Sequence, residues 1–306
     1  MLASVVTQIL ILFLTACVGF LAARLGYFDD STTAKLNRLL LNVCVPCLVL
    51  SSATSPSSAY GPQTAMLALA GSAGICLFLP LSGWLLNVVL RTPRSQRPLF
   101  QFMTICCNVG FMGYPVVEAF YGHDAMFLNS LAIMFQGVLM FTFGVALLTR
   151  GSGRRHAFSP RDLLTPGLVA SVVALALFFT GVRLPQAVLG TLSNVGGITS
   201  PLAMMLIGAS MRGVDPKSLF NSPRMHLYTI IKQLVIPLAV WFALVPVFPD
   251  RTVLGVIVLA LSMPVGAMVI VFADQYHADT KLAVRAIALT TLYSFVVLPV
   301  LGLVIV

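Results

Sequence analysis

The stretch "CCNVGFMGYPVVEAFYG", residues 106–122, interrupts an apolar segment that begins near Pro98 and is long enough to cross a membrane. Within eight residues it holds four that disfavour a continuous helix there: Asn108, Gly110, Gly113 and Pro115. Glycine is a poor helix former, and proline lacks the helix N–H and clashes with the preceding turn. Unpaired backbone groups are too costly to face lipid, so a break here must be buried or must line a wet cavity.

The composition around this stretch is that of a polytopic membrane protein. Of 306 residues, 58% are hydrophobic and 9% are charged, whereas a soluble domain carries about 25% charged residues. So few polar side chains cannot cover a surface that faces water. The net charge of +9 does not predict a nucleic-acid partner, because the basic residues fall in the gaps between apolar runs.

The apolar runs predict ten membrane spans, since each approaches the roughly 20 residues that a spanning helix needs. They lie near residues 4–24, 36–55, 63–90, 98–121, 125–149, 163–182, 186–211, 225–248, 252–274 and 282–305. The connections are short and leave no room for a soluble domain.

The basic residues of the gaps alternate along the chain. The odd-numbered gaps, with their edges, hold fifteen Lys and Arg residues, and the even-numbered gaps hold only Arg183 and Arg251. The positive-inside rule therefore places the odd-numbered gaps in the cytoplasm and both termini outside the inner (plasma) membrane.

The cysteines indicate no cofactor and no metal site. Cys44 and Cys47 form a C-x-x-C pair, but it lies inside an apolar run, and thiolate chemistry needs a wet, electropositive site. We therefore expect no redox centre and no zinc there.

An internal repeat relates the two halves of the chain. Five pairs recur at offsets of 155 or 157 residues: Pro46 and Pro201, Pro80 and Pro237, Trp84 and Trp241, Tyr121 and Tyr276, and Asp124 and Asp279. We divide the chain into a first repeat (1–149), a short basic cytoplasmic linker (150–162) and a second repeat (163–306). Because each repeat has an odd number of spans, the second enters the membrane from the opposite side, as in many secondary transporters.

The repeat also predicts a second broken span. Residues 256–272 read "VIVLALSMPVGAMVIVF", and the offset of 155 aligns Asn108 with Met263. The two breaks would cross near the membrane midplane, where half-helix N-termini direct unpaired N–H groups at an anion. An ordinary proline kink is the alternative for either span.

Three motifs resemble the auxin efflux carrier family, in particular its bacterial branch of malonate, malate and lactate permeases. They are "NVGFMGYP" followed by "YG", "LNVCVPCLVLSS" in the second span and "LSMPVGAMVIVFADQY" in the ninth. The resemblance implies a fold similar to bile-acid/sodium symporters and sodium/proton antiporters. It also implies an elevator-type carrier of small carboxylates, with a scaffold from spans 1, 2, 6 and 7 and a mobile transport domain from the other six. A homodimer would form through the scaffold. The long central loop of the plant members is absent, which argues against auxin itself as the substrate.

Polar and helix-breaking residues near mid-depth are the candidate substrate site. Asn108 is the centre, as a ligand or as a cap of the break; Thr104 and Gln136 are weaker candidates. The other members of the predicted site are Gly110, Gly113, Pro115, Ser262, Pro264, Asn42 and Lys232. Ser262 could bond a free N–H, Asn42 could face the site from the scaffold, and Lys232 could neutralise a carboxylate. Helix–helix hydrogen bonding is the alternative role for the polar members.

Glu118 and Asp274 are the candidates for a coupling proton, with solvated helix ends as the alternative. No acidic residue lies deep in spans 3 or 10, so a sodium cage would need backbone carbonyls with Thr290 or Thr291. Proton-linked or potential-driven transport is therefore the expectation.

No enzyme motif is present: the sequence has no H-E-x-x-H, no paired aspartates on one span and no G-x-S-x-G. The function expected is secondary-active transport of a mono- or dicarboxylate such as malonate or malate. An anion channel and a non-transporting receptor are the alternatives.

The charge pattern predicts which face the central linker occupies. A single cysteine introduced between Arg150 and Arg161, in a background without the six native cysteines, should react with an impermeant maleimide only from the cytoplasmic side. Labelling of intact cells from outside would overturn the predicted topology.

Overall fold

The computed structural model describes residues 2–54, 60–152, 166–213 and 221–305. Within these ranges the regular structure is helical, apart from one isolated antiparallel bridge between Cys107 and Val265. Residues 153–162 of the predicted linker lie outside the described ranges.

Sixteen α-helices make up most of the described chain. The first eight are α1 (Leu2–Arg24), α2 (Asp30–Leu39), α3 (Val45–Thr54), α4 (Pro62–Val89), α5 (Arg97–Ile105), α6 (Tyr114–Tyr121), α7 (Ala125–Leu139) and α8 (Val145–Ser152). The other eight are α9 (Pro166–Thr180), α10 (Gln186–Gly197), α11 (Thr199–Ser210), α12 (Pro223–Ile230), α13 (Ile236–Leu244), α14 (Arg251–Ser262), α15 (Met268–Gln275) and α16 (Thr280–Ile305).

Several helices continue into one another through π-helical turns. These turns are Leu40–Cys44 between α2 and α3, Val109–Gly113 before α6, Met140–Gly144 between α7 and α8, and Ile231–Val235 between α12 and α13. Pro46, Pro115 and Pro237 each follow the end of such a turn by two residues. Proline removes an N–H and clashes with the carbonyl one turn earlier, and a wider turn accommodates both effects.

In the described part of the chain, six helical segments are long and apolar enough to cross a membrane: Ser31–Ser52, Pro62–Val89, Ala125–Thr149, Gln186–Ser210, Pro223–Leu244 and Thr280–Ile305. Shorter apolar helices cover Leu10–Arg24, Pro166–Thr180 and Arg251–Ser262. The prediction of an all-helical fold is therefore confirmed for the described residues, and these segments are consistent with a polytopic membrane protein.

Glycine lets helices from the two halves of the chain approach closely. A Cβ atom at Gly208 of α11 would lie 2.7 Å from the carbonyl carbon of Ala16 and 2.9 Å from the nitrogen of Phe20, both in α1. A Cβ atom at Gly196 of α10 would lie 2.7 Å from the Cα of Leu48 in α3. Small residues permit such backbone contact in membranes, where dispersion rather than water exclusion holds helices together. Helix α1 thus packs on α11, and α3 packs on α10, with their backbones in contact. Helix α9 also packs against α3.

A second set of contacts surrounds the two broken spans. Helix α4 packs against α5, α7 and α14. The Gln101 side chain of α5 donates to the carbonyl of Pro80 inside α4, at 2.9 Å. This arrangement encloses α14, whose residues from Val253 to Ser262 are all buried.

The close approach of α1 and α11 predicts the effect of one added methyl group. In Gly208→Ala, the added methyl group pushes the backbone of α1 away from α11. This substitution should destabilise the protein by about 1–3 kcal/mol, the usual effect of overpacking. The readout is the midpoint of thermal unfolding in detergent.

Gly190→Ala in the neighbouring helix α10 is the matched control, because a Cβ atom there meets nothing within 4 Å. It should leave the midpoint unchanged or raise it slightly. Equal midpoints for the two variants would refute close packing of α1 on α11.

Candidate functional site

The first of the two predicted broken spans has its interruption at Cys106–Asn108, between α5 and the π-helical turn that leads into α6. Asn108 is not helical, with φ −79° and ψ 49°, and its side-chain oxygen accepts from the N–H of Phe111 at 3.3 Å. Asn108 therefore caps the second half of the span, since a side-chain acceptor there satisfies one of the N–H groups that a helix start leaves unpaired.

The second broken span is interrupted between Ser262 and Met268 and lies against the first. The N–H of Asn108 donates to the carbonyl of Pro264 at 2.8 Å, and the N–H of Gly266 donates to the carbonyl of Cys106 at 2.7 Å. Each break thus supplies backbone partners to the other, as two antiparallel strands do.

Polar side chains from neighbouring spans satisfy further backbone groups of the breaks. The Gln136 amide of α7 donates to the carbonyls of Ile105 and Cys107, at 2.9 and 2.8 Å. On the other break, Gln233 donates to the carbonyl of Ser262 at 3.3 Å, and Lys232 donates to the carbonyl of Met263. The Val265 N–H donates to Thr290 Oγ1 at 3.0 Å. Buried backbone groups need such partners, because water is absent from the membrane interior.

A cavity of about 270 Å³ adjoins the paired breaks. Its polar side chains are Asn42, Asn108 and Gln136. The rest of its wall consists of apolar side chains and backbone: Leu41, Val45, Cys106, Cys107, Gly110, Phe111, Ile133, Met134, Gly137, Val138, Met140, Pro166, Gly167, Leu168, Gly266, Ala267 and Met268. Asn108 is 8% exposed. Of the described side chains that line the cavity, none carries a charge.

The structure brings together part of the predicted site. Asn42, Asn108 and Gly110 share the cavity wall. The other five predicted substrate-site residues are buried and do not line it: Gly113, Pro115, Ser262, Pro264 and Lys232. The Ser262 hydroxyl donates to the carbonyl of Leu259 at 2.8 Å, and it is Thr290 that accepts the free N–H of the break.

The two candidate coupling residues are differently placed. Glu118 lies near the end of α6, where one carboxylate oxygen accepts from the Ser200 hydroxyl at 3.1 Å. The other oxygen is 3.7 Å from His123 Nδ1, and 40% of the Glu118 side chain is exposed. Asp274 belongs to α15, but its side chain lies outside the described part of the structure.

Sequence reasoning gave too little weight to the glutamines and missed Asn129. Gln136 lines the cavity and bonds two carbonyls of the first break. Asn129 is fully buried and donates to the carbonyl of Val109 at 3.2 Å. The available signal was an amide side chain inside an apolar run, since such a side chain needs a hydrogen-bond partner in the membrane.

Comparison with known proteins gives matches over nearly the whole chain. The sequence profile of a family described as "Membrane transport protein" matches residues 4–302. An uncharacterized transporter of Methanocaldococcus jannaschii is 24% identical over 304 residues, which cover 96% of this chain and 96% of the relative. The uncharacterized transporter YfdV of Escherichia coli K12 is 21% identical over 292 residues, 92% of this chain and 91% of the relative. The chain is thus similar to transporters along its length.

The contact with Glu118 predicts how His123 titrates. The nearby carboxylate of Glu118 raises the pKa of this imidazole, against the opposing effect of burial, and the charge of Asp124 adds to the rise. The contact between protonated His123 and Glu118 stabilises the folded protein. This stabilisation is fully present below the ordinary histidine pKa of about 6.5 and is lost as the pH rises through the raised pKa. Glu118→Gln should therefore lower the pKa of His123, measured by NMR titration of labelled protein in nanodiscs.

Asp124→Asn is the matched control. It should lower the pKa of His123 by less, because Asp124 acts only through its charge. An unchanged His123 titration in the Glu118→Gln protein would contradict the contact.

Proposed function

The chain belongs to the auxin efflux carrier family of membrane transport proteins, and we propose that it carries a small organic anion across the cytoplasmic membrane by alternating access. The observation that carries this proposal is the cavity of about 270 Å³ at the paired breaks. Backbone that is not helical is tolerated at membrane depth where it is buried or lines a cavity, and transporters place substrate sites there.

An anion suits this cavity because two half-helices begin at its wall. Gly110 and Phe111 lie in the first turn after Asn108, and Gly266 to Met268 lead into α15. The start of a helix carries unpaired N–H groups and a partial positive charge. The side-chain oxygen of Asn108 is occupied by Phe111, so its amide nitrogen is the group left to donate to a carboxylate.

The cavity favours an anion with one carboxylate. Its described wall has three amide side chains and no cationic side chain, so a second negative charge would be buried without a partner. Its volume of about 270 Å³ is slightly below the roughly 300–1,000 Å³ that is typical of ligand pockets. We therefore place a small monocarboxylate such as lactate ahead of malonate and malate.

Ten spans in two inverted repeats, residues 1–149 and 163–306, complete the proposal. The backbone contacts of α1 with α11 and of α3 with α10 support a scaffold that contains these helices and α9. Asn42 and Pro166 would face the cavity from this scaffold, and the broken spans would face it from the transport domain. Since Pro166 to Leu168 begin a span that enters from the basic linker, the cavity in this state would open toward the cytoplasm.

Asn108 provides the test. Liposomes that contain the purified protein and unlabelled lactate should take up labelled lactate by counterflow. Asn108→Ala should lower this exchange about tenfold or more, through loss of a charge-assisted hydrogen bond of roughly 1.5–3 kcal/mol. Asn108→Asp keeps an acceptor for the Phe111 N–H but sets a negative charge against the substrate, so it should fold normally and exchange still less lactate.

Asn194→Ala, at an exposed amide of α10, is the control and should exchange lactate like the parent. If Asn108→Ala also matched the parent, the break would be only a kink. Lactate flux without counterflow would indicate a channel, and lactate binding without any flux would indicate a receptor.

A further inference from the structure

Lys232 is a buried cation beside the site but not in it. It lies on the π-helical turn between α12 and α13 and is 2% exposed. Its ammonium donates to the carbonyl of Met263, in the second break. It does not line the cavity that holds Asn42, Asn108 and Gln136.

No carboxylate neutralises this charge within the described ranges. The ion pair found there joins His123 and Glu118, near the end of α6. An ionisable side chain deep in a membrane protein is expensive, and those that persist usually pair or serve the transported species. Among the described residues, Lys232 therefore has no carboxylate partner, and it lies next to a candidate anion site.

The hydrogen bonds connect Lys232 to the cavity through the second break. Lys232 donates to the carbonyl of Met263, and the carbonyl of the next residue, Pro264, accepts the N–H of Asn108. The path from the Lys232 ammonium to Asn108 therefore consists of one hydrogen bond to Met263, the peptide link to Pro264 and one hydrogen bond from Asn108. Over such a short path the field of a buried charge is much stronger than in water.

We propose that Lys232 is the positive charge that balances the transported anion without touching it, and that it moves with the site. The inference rests on the proposed function and identifies Lys232 as a positioning residue. The loaded carrier then crosses the membrane with no net charge in the site, and the empty carrier returns with one positive charge. A monoanion is the substrate class that this charge balances.

This assignment separates two kinds of flux by their response to voltage. Lactate-for-lactate exchange uses only the loaded, neutral form and should not respond to an imposed potential. Net lactate uptake needs the return of the empty, positive form. An inside-negative potential opposes that return and should slow net uptake by about threefold or more, as expected when a full charge crosses much of the field.

The experiment uses the full-length protein in liposomes, with labelled lactate as the probe and a potassium diffusion potential set by valinomycin. Lys232→Gln leaves the loaded site with one negative charge, so exchange itself should become voltage-dependent, by about threefold or more. Lys232→Arg keeps the charge and should keep the voltage profile of the parent.

Gln233→Leu is the matched control, because it removes a donor to the adjacent carbonyl of Ser262 and leaves the charge in place. It should slow transport but keep the parent profile, which separates loss of charge from loss of a hydrogen bond at the break. Voltage-dependent exchange in the parent, or voltage-insensitive exchange in Lys232→Gln, would overturn the inference while transport itself stands. Absence of any lactate exchange by the parent would instead overturn the proposed function.

Discussion

The mutual hydrogen bonding of the two broken spans is the constraint on which the rest of this structure depends. The bonds from Asn108 to Pro264 and from Gly266 to Cys106 pair backbone N–H and carbonyl groups that have no partner within a helix. Further backbone carbonyls on both breaks remain without a partner in this pairing, and lipid tails provide no hydrogen-bond donors for them. The neighbouring spans must therefore carry polar side chains at this depth, and Gln136, Gln233 and Lys232 meet that requirement. A polar layer inside an otherwise apolar protein follows from the pairing.

The same constraint accounts for the character of the cavity. Several carbonyls of the breaks are bonded, and the helix starts after Asn108 and at Met268 lie in the cavity wall. A site made from N–H groups and amides needs no charged side chain in its wall. The Asn108 oxygen is bonded to the N–H of Phe111 in its own span, so this cap does not depend on a bound ligand.

The residues that end helices could be predicted from the sequence, but most of their partners could not. Proline and glycine locate the breaks through local backbone chemistry, so Asn108 and Pro264 fall where the structure interrupts the spans. The Glu118–Ser200 contact joins residues 82 positions apart, and no local pattern encodes it. The predicted repeat also does not determine how exposed its paired residues are: Trp84 is 57% exposed, whereas Trp241, which the prediction pairs with it, is 4% exposed. Exposure depends on which helices pack against each tryptophan, and a local sequence pattern does not specify those helices.

The place of Lys232 behind the break, rather than in the cavity wall, has a physical reason. A lysine in the wall would hold a carboxylate directly and would lose its partner each time the site emptied. Breaking a buried pair in that way leaves an uncompensated charge, at a penalty of about 3–5 kcal/mol. Lys232 instead bonds the carbonyl of Met263, a partner that belongs to the fold and is present whether or not the cavity is filled. Under the proposed function, its charge would attract an anion in the cavity without a contact that must be broken for release.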